Sequence, residues 1–106
     1  MKIKPGVVLL DLKPQILLAI IIADRIFEQY QNELVITSVN DGKHMNNSLH
    51  FNGFAVDFRS RTFTEPQLIN VIQELKVSLG ENYDVVKEID HIHVEYDPKK
   101  GMALVT

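Results

Sequence analysis

Segment 14–30 carries apolar side chains around nearly its whole first half (Ile16, Leu17, Leu18, Ile20, Ile21, Ile22) and then thins to Ile26, Phe27 and Tyr30. Its spacing predicts a helix whose apolar surface must be covered by other elements, with the amino-terminal half the more deeply buried. Pro14 suits a first helical turn, where its missing N–H costs nothing, and Asp11 is a candidate cap just upstream. No residue of this helix has a chemical look; it is read as core. The longest apolar run, residues 16–23, is closed by Asp24 and Arg25 and falls far short of the roughly 20 residues that span a bilayer.

The remaining elements are shorter. Leu34, Val35, Ile36 and Thr37 read as a strand that runs into the turn signal Asp41-Gly42. From Phe54 to Phe58 the chain alternates, which sends Val56 and both phenylalanines to one face and Ala55 and Asp57 to the other. Thr64 precedes Pro66 and Gln67, the signature of a capped helix start, and Leu68, Ile69, Ile72, Leu75 and Leu79 keep helical spacing until Gly80 ends it. Segments 83–88 and 92–96 read as two strands, possible partners of each other, before the turn at 97–101; residues 103–105 can add a last edge strand.

With 106 residues, the chain is expected to form one compact domain. A net charge of -3 and no run of lysine and arginine give no electrostatic pull toward nucleic acid or anionic membrane, so neither is expected as a partner. Cysteine is lacking, so any metal must be held by imidazole and carboxylate, a donor set typical of catalysis rather than scaffolding. The first residues lack the apolar core and cleavage site of a signal peptide, which leads us to expect synthesis in the cytoplasm.

Two histidines and a carboxylate from separated segments are what a catalytic zinc site needs, with a fourth position open for water. His50 and Asp57 supply one imidazole and the carboxylate. The second imidazole comes from the pair His91 and His93, which strand alternation puts on one face; on the residues alone either or both can ligate. His44 lies in a polar loop and is read as exposed. Gly53 allows a tight turn between the loop and the strand that carry the two donors, and Ala55 leaves room on the Asp57 face.

The pattern Ser-x-His-x-x-Gly-x-Ala-x-Asp (Ser48, His50, Gly53, Ala55, Asp57), followed by carboxylate-x-x-His (Asp90, His93), resembles the zinc peptidases that include D-alanyl-D-alanine carboxypeptidases of the VanY type and phage L-alanyl-D-glutamate endolysins. Five fixed positions in ten match by chance on the order of once in ten thousand chains of this size. The resemblance extends over residues 36–96. It implies a small α+β fold, an antiparallel sheet that carries Zn2+ and packs against two main helices. It also implies His50, Asp57 and His93 as metal ligands and Asp90 as the general base, with Glu88 the competing carboxylate. His91 then stays beside the site, either stabilising an oxyanion or simply hydrogen-bonded.

Relatives in that family carry an arginine before the first ligand to hold a substrate carboxylate, where this chain has Thr37-Ser38-Val39-Asn40-Asp41-Gly42. Arg59 and Arg61 are the replacements at hand, since a guanidinium pairs bidentately with a carboxylate. Ser48 either steadies its loop or touches substrate. The expected activity is hydrolysis of peptidoglycan stem peptides by a phage or prophage L-alanyl-D-glutamate endopeptidase, a monomer that waits in the host cytoplasm and reaches the cell wall through a membrane lesion. A D-Ala-D-Ala carboxypeptidase is the nearest alternative. A non-catalytic zinc-containing module that binds wall or belongs to a virion is the alternative of a different class.

Overall fold

In a computed structural model, which describes residues 1–39 and 54–98, the central strand carries the site and both helices lie behind it. The elements run β1 (Lys2–Ile3), α1 (Pro14–Gln29), β2 (Val35–Val39), β3 (Ala55–Arg59), α2 (Glu65–Leu79), β4 (Tyr83–Lys87) and β5 (His91–Tyr96). They form a five-stranded sheet in the order β1-β2-β3-β5-β4. Strands β2 to β5 pair antiparallel, whereas β1 joins β2 in parallel. The fold is α+β with a mixed sheet. The parallel edge was not legible from two residues, and it arises because α1 acts as the crossover between β1 and β2.

Helix α1 opens at Pro14 with Lys13 as its N-cap residue and no side-chain cap, so the expected Asp11 cap does not form. Its buried residues, Ile16, Ala19, Ile20, Ala23, Ile26 and Phe27, make one stripe along the whole helix. Burial is therefore not concentrated in the amino-terminal half: Leu17, Leu18 and Ile21 are 45–58% exposed, because only one side of a helix lying on a sheet meets the core. The helix ends at Tyr30, followed by Gln31 at a φ of 58°.

Helix α2 begins as the sequence indicates. Thr64 accepts from the backbone of Gln67 at 3.3 Å and the Gln67 side chain accepts from Thr64 N–H at 3.0 Å, a complete capping box. Leu68, Val71, Leu75 and Leu79 are buried. Ile69, expected among the apolar positions, is 62% exposed, and Val71 takes the inward position that it leaves.

Residues from both helices and the inner faces of β2, β3, β4 and β5 share one core. Phe27 meets Phe63 edge-on at 4.9 Å and Phe58 at 6.0 Å between centroids. Polar ties close the periphery. Tyr83 donates its hydroxyl to Gln15 O at 2.9 Å, and Tyr30 donates to Glu74, joining α1 to α2. Among the described residues no helix is long and apolar enough to cross a membrane.

Candidate metal and catalytic site

Strand β3 is in the middle of the sheet, and its alternation decides which side chains leave the core. Val56 and Phe58 are fully buried against the helices, so Ala55, Asp57 and Arg59 occupy the opposite face. Strand β5 does the same: Ile92 and Val94 point inward, which puts His91, His93 and Glu95 on the outer face. The β3–β5 register then aligns Ala55 with Glu95, Asp57 with His93 and Arg59 with His91. A row of carboxylate, imidazole and guanidinium groups results from pairing alone.

A bulge in β2 adds to this face. The pairing passes from Ile36 opposite Phe58 to Ser38 opposite Asp57, skipping Thr37. In a regular strand Ile36 and Ser38 would face the same way; the extra residue turns Ser38 toward the Asp57 face and returns Val39 to the core side opposite Val56. Thr37 donates its hydroxyl to the Asp57 carbonyl at 3.4 Å.

Asp57 is 6% exposed, and a buried carboxylate needs partners. Among the described residues two side chains partner it, both imidazoles. His93 Nδ1 lies 2.6 Å from Asp57 Oδ1, and His91 Nε2 lies 3.6 Å from Oδ2. The other nitrogen of each ring meets a second carboxylate: His93 Nε2 is 2.9 Å from Glu95 Oε1, and His91 Nδ1 is 2.8 Å from Asp90 Oδ1. Only an imidazolium donates at both nitrogens. Accordingly the hydrogen bond to Asp57, opposed by burial and reinforced by Glu95, lifts the pKa of His93 from 6.5 to about 9.

Asp90 lies at the tip of the β4–β5 hairpin, beside the fully exposed Ile89. The turn is closed by Glu88 N–H donating to His91 O at 2.9 Å and tied to the end of β3 by Ser60 N–H donating to Asp90 O at 3.2 Å. The hydrogen bond from His91 is the main cause that holds the Asp90 carboxyl below its usual pKa, with Arg61 adding an attractive charge. Asp90 is thus ionised and able to accept a proton. Glu88, the competing carboxylate, is exposed at the end of β4 and is not the group that His91 holds.

Of the residues singled out in the sequence, Asp57, Asp90, His91 and His93 come together, Arg59 stands opposite His91 in the register, and Arg61 lies within electrostatic reach of Asp90. Ser48, His50, Gly53 and His44 lie outside the described residues, as do the turn beyond residue 98 and the expected strand at 103–105. Glu95 was missed as a site residue. Its signal was the alternation His91-x-His93-x-Glu95, which puts three polar groups on one face of a strand whose other residues are apolar.

Among the described residues Asp57 and His93 offer one carboxylate and one imidazole, donor types that zinc accepts and two of the three expected ligands. A buried carboxylate oxygen and an imidazole nitrogen share a single proton site, and no lysine or arginine among the described residues pairs with Asp57. Zinc takes such oxygen and nitrogen atoms as donors at about 2.0–2.2 Å, and here the two atoms are hydrogen-bonded to each other at 2.6 Å. Among the described residues, the group of three metal-ligating side chains whose donor atoms lie within 4.8 Å of one another is a different one, Asp84, Glu95 and Asp97. It is purely acidic and includes no imidazole. Comparison with models of protein families, with curated proteins and with solved structures gives no match.

Proposed function

We propose that this chain is a zinc-dependent peptidase that hydrolyses peptidoglycan stem peptides, acting as an L-alanyl-D-glutamate endopeptidase of phage or prophage origin. The observation that carries the reading is the cross-strand pairing of a buried Asp57 with His93 at 2.6 Å, beside a carboxylate held ionised by a neighbouring histidine. Asp57 and His93 would hold the metal together with His50. When bound, zinc supplies Lewis-acid activation of the attacking water and of the scissile carbonyl.

The chain's own groups do the rest. Asp90 takes the proton from the attacking water and passes it to the departing amine. His91, hydrogen-bonded to Asp90 and close to Asp57, keeps that carboxylate aimed across the site. Arg59 and Arg61 hold the D-glutamate carboxylate of the stem, with Ser48 as a further substrate contact, and the protein meets its substrate after passing a membrane lesion.

The test is mass spectrometry of purified peptidoglycan incubated with the zinc-loaded protein and with Asp90→Ala. New amino termini at D-glutamate, lost in the variant, are expected. Release of free D-alanine would move the chain to the carboxypeptidases. Zinc bound by both proteins with no product from either would overturn the enzyme reading in favour of a binding or virion module.

A further inference from the structure

We propose that the cavity at the β4 edge receives the acyl-side alanine of the stem peptide, with Val86 as the wall against which the alanine methyl packs; this rests on the peptidase reading given above and adds to it a subsite and a direction for the bound chain.

Register sets the position of Val86. Alternation in β4 buries Val85 in the core and sends Val86 to the other face of the sheet, where it is 43% exposed. Val86 stands opposite His93, His93 opposite Asp57, and Asp57 opposite Ser38. One row thus crosses four strands on the outer face, with Asp57 and His93 in its middle and an aliphatic side chain at its β4 end. Directly opposite residues of antiparallel neighbours hold their Cβ atoms about 4.5–5.5 Å apart, so Val86 borders the His93 ring. It also lines a cavity of about 630 Å³, shared with Lys76, Tyr83, Asp84 and Glu95, which runs around the β4 edge from the end of α2 to the outer face.

The groups on either side of His93 orient the peptide. Asp90, which passes its proton to the departing amine, lies at the hairpin tip bonded to His91; Arg59 stands opposite His91, and Arg61 lies within electrostatic reach of Asp90. The D-glutamate half of the scissile bond therefore belongs at the tip. The cavity lies toward the other end of the same hairpin, at residues 80–86 and 95, and takes the acyl half. In the reverse direction the D-glutamate carboxylate would enter a cavity where Glu81, Asp84 and Glu95 outnumber the single ammonium of Lys76, and like-charge juxtaposition suppresses that orientation. An amide-linked alanine brings no charge and one methyl group, which a valine surface matches.

The experiment uses the zinc-loaded Asp90→Ala protein, which leaves the dipeptide N-acetyl-L-alanyl-D-glutamate uncut, and follows valine methyl signals by NMR as the dipeptide is added. The Val86 methyls should shift, while those of Val77, 72% exposed on α2, should not. In the protein with Asp90 intact, Val86→Ala widens the subsite, so the preference in kcat/KM for N-acetyl-L-alanyl-D-glutamate over its L-leucyl counterpart should fall by roughly 10-fold. Thermal melts show whether the variant is folded, and the methyl titration needs no change at Val86. Still Val86 methyls, or an unchanged alanine preference in folded Val86→Ala, in a protein whose wild type cleaves wall peptides would overturn the subsite and leave the peptidase standing. No cleavage of wall peptides by the zinc-loaded wild type would overturn the peptidase reading and the subsite with it.

Discussion

Asp57 and His93 face each other across the β3–β5 ladder, Oδ1 to Nδ1 at 2.6 Å, on the sheet face turned away from both helices. Strand pairing thus brings together two residues that are 36 positions apart in sequence. A pair fixed by the ladder keeps its spacing without help from loops.

The first expectation concerns pH and the zinc-free protein. His93 has a folded pKa of about 9 against 6.5 for the free side chain, so the folded state binds its proton more tightly than the unfolded chain does. The stabilisation is fully present below pH 6.5 and is lost as pH rises through about 9. The melting temperature of the zinc-free wild type, measured against His93→Gln, should hold a constant advantage in acid and lose it over that window. An advantage that grew with rising pH would contradict the doubly bonded imidazolium.

Zinc binding should show the same proton from the other side. A ligating imidazole must give up its proton, so between about pH 6 and 8 the zinc affinity should rise by about tenfold per pH unit, with close to one proton released per metal. Asp57→Asn exchanges an anionic ligand for a weak neutral one and should weaken binding. Calorimetry in buffers of different ionisation enthalpy counts the protons; an affinity flat in pH would place the metal elsewhere.

Asp90, Glu88 and His91 separate in kinetics. Asp90→Ala should lower turnover of wall peptides by about 100-fold or more with zinc affinity unchanged, since Asp90 does not touch Asp57 or His93. Glu88→Ala should stay within a few-fold of wild type. His91→Ala removes the hydrogen bond that holds Asp90 ionised, so the acidic limb of its pH–rate profile should move to higher pH. An unmoved limb would deny His91 that role.

Much of this arrangement was legible because strand alternation is a local rule. The pattern of residues 54–58 places Asp57 on the face opposite Val56 and Phe58, and it does so in the fold; the capping box at Thr64 and Gln67 and the stop at Gly80 follow in the same way. The parts that were missed depend on tertiary context. Leu17, Leu18 and Ile21 have the composition of core residues, yet a helix covered on one side leaves them exposed. The bulge at Thr37 exists only in relation to β3, and the parallel β1 requires knowing where α1 crosses. Glu95 read as an ordinary strand residue until the register set it beside His93.

Gln31 offers a test of the fold apart from the site. It is exposed and sits at a φ of 58°, just past the end of α1, where Asn32 N–H donates to Phe27 O at 3.1 Å. A residue with a Cβ in the left-handed region costs roughly 1–2 kcal/mol, whereas glycine adopts it freely. Gln31→Gly gives back about 0.4–1 kcal/mol through the greater freedom of the unfolded chain, so a net stabilisation of about 0.5 kcal/mol is expected. For a domain of this size that is an increase of about 2–4 °C in melting temperature. Gln31→Ala keeps the Cβ and should melt close to wild type. A lower melting temperature for the glycine variant would mean that the Gln31 side chain contributes more than its backbone costs.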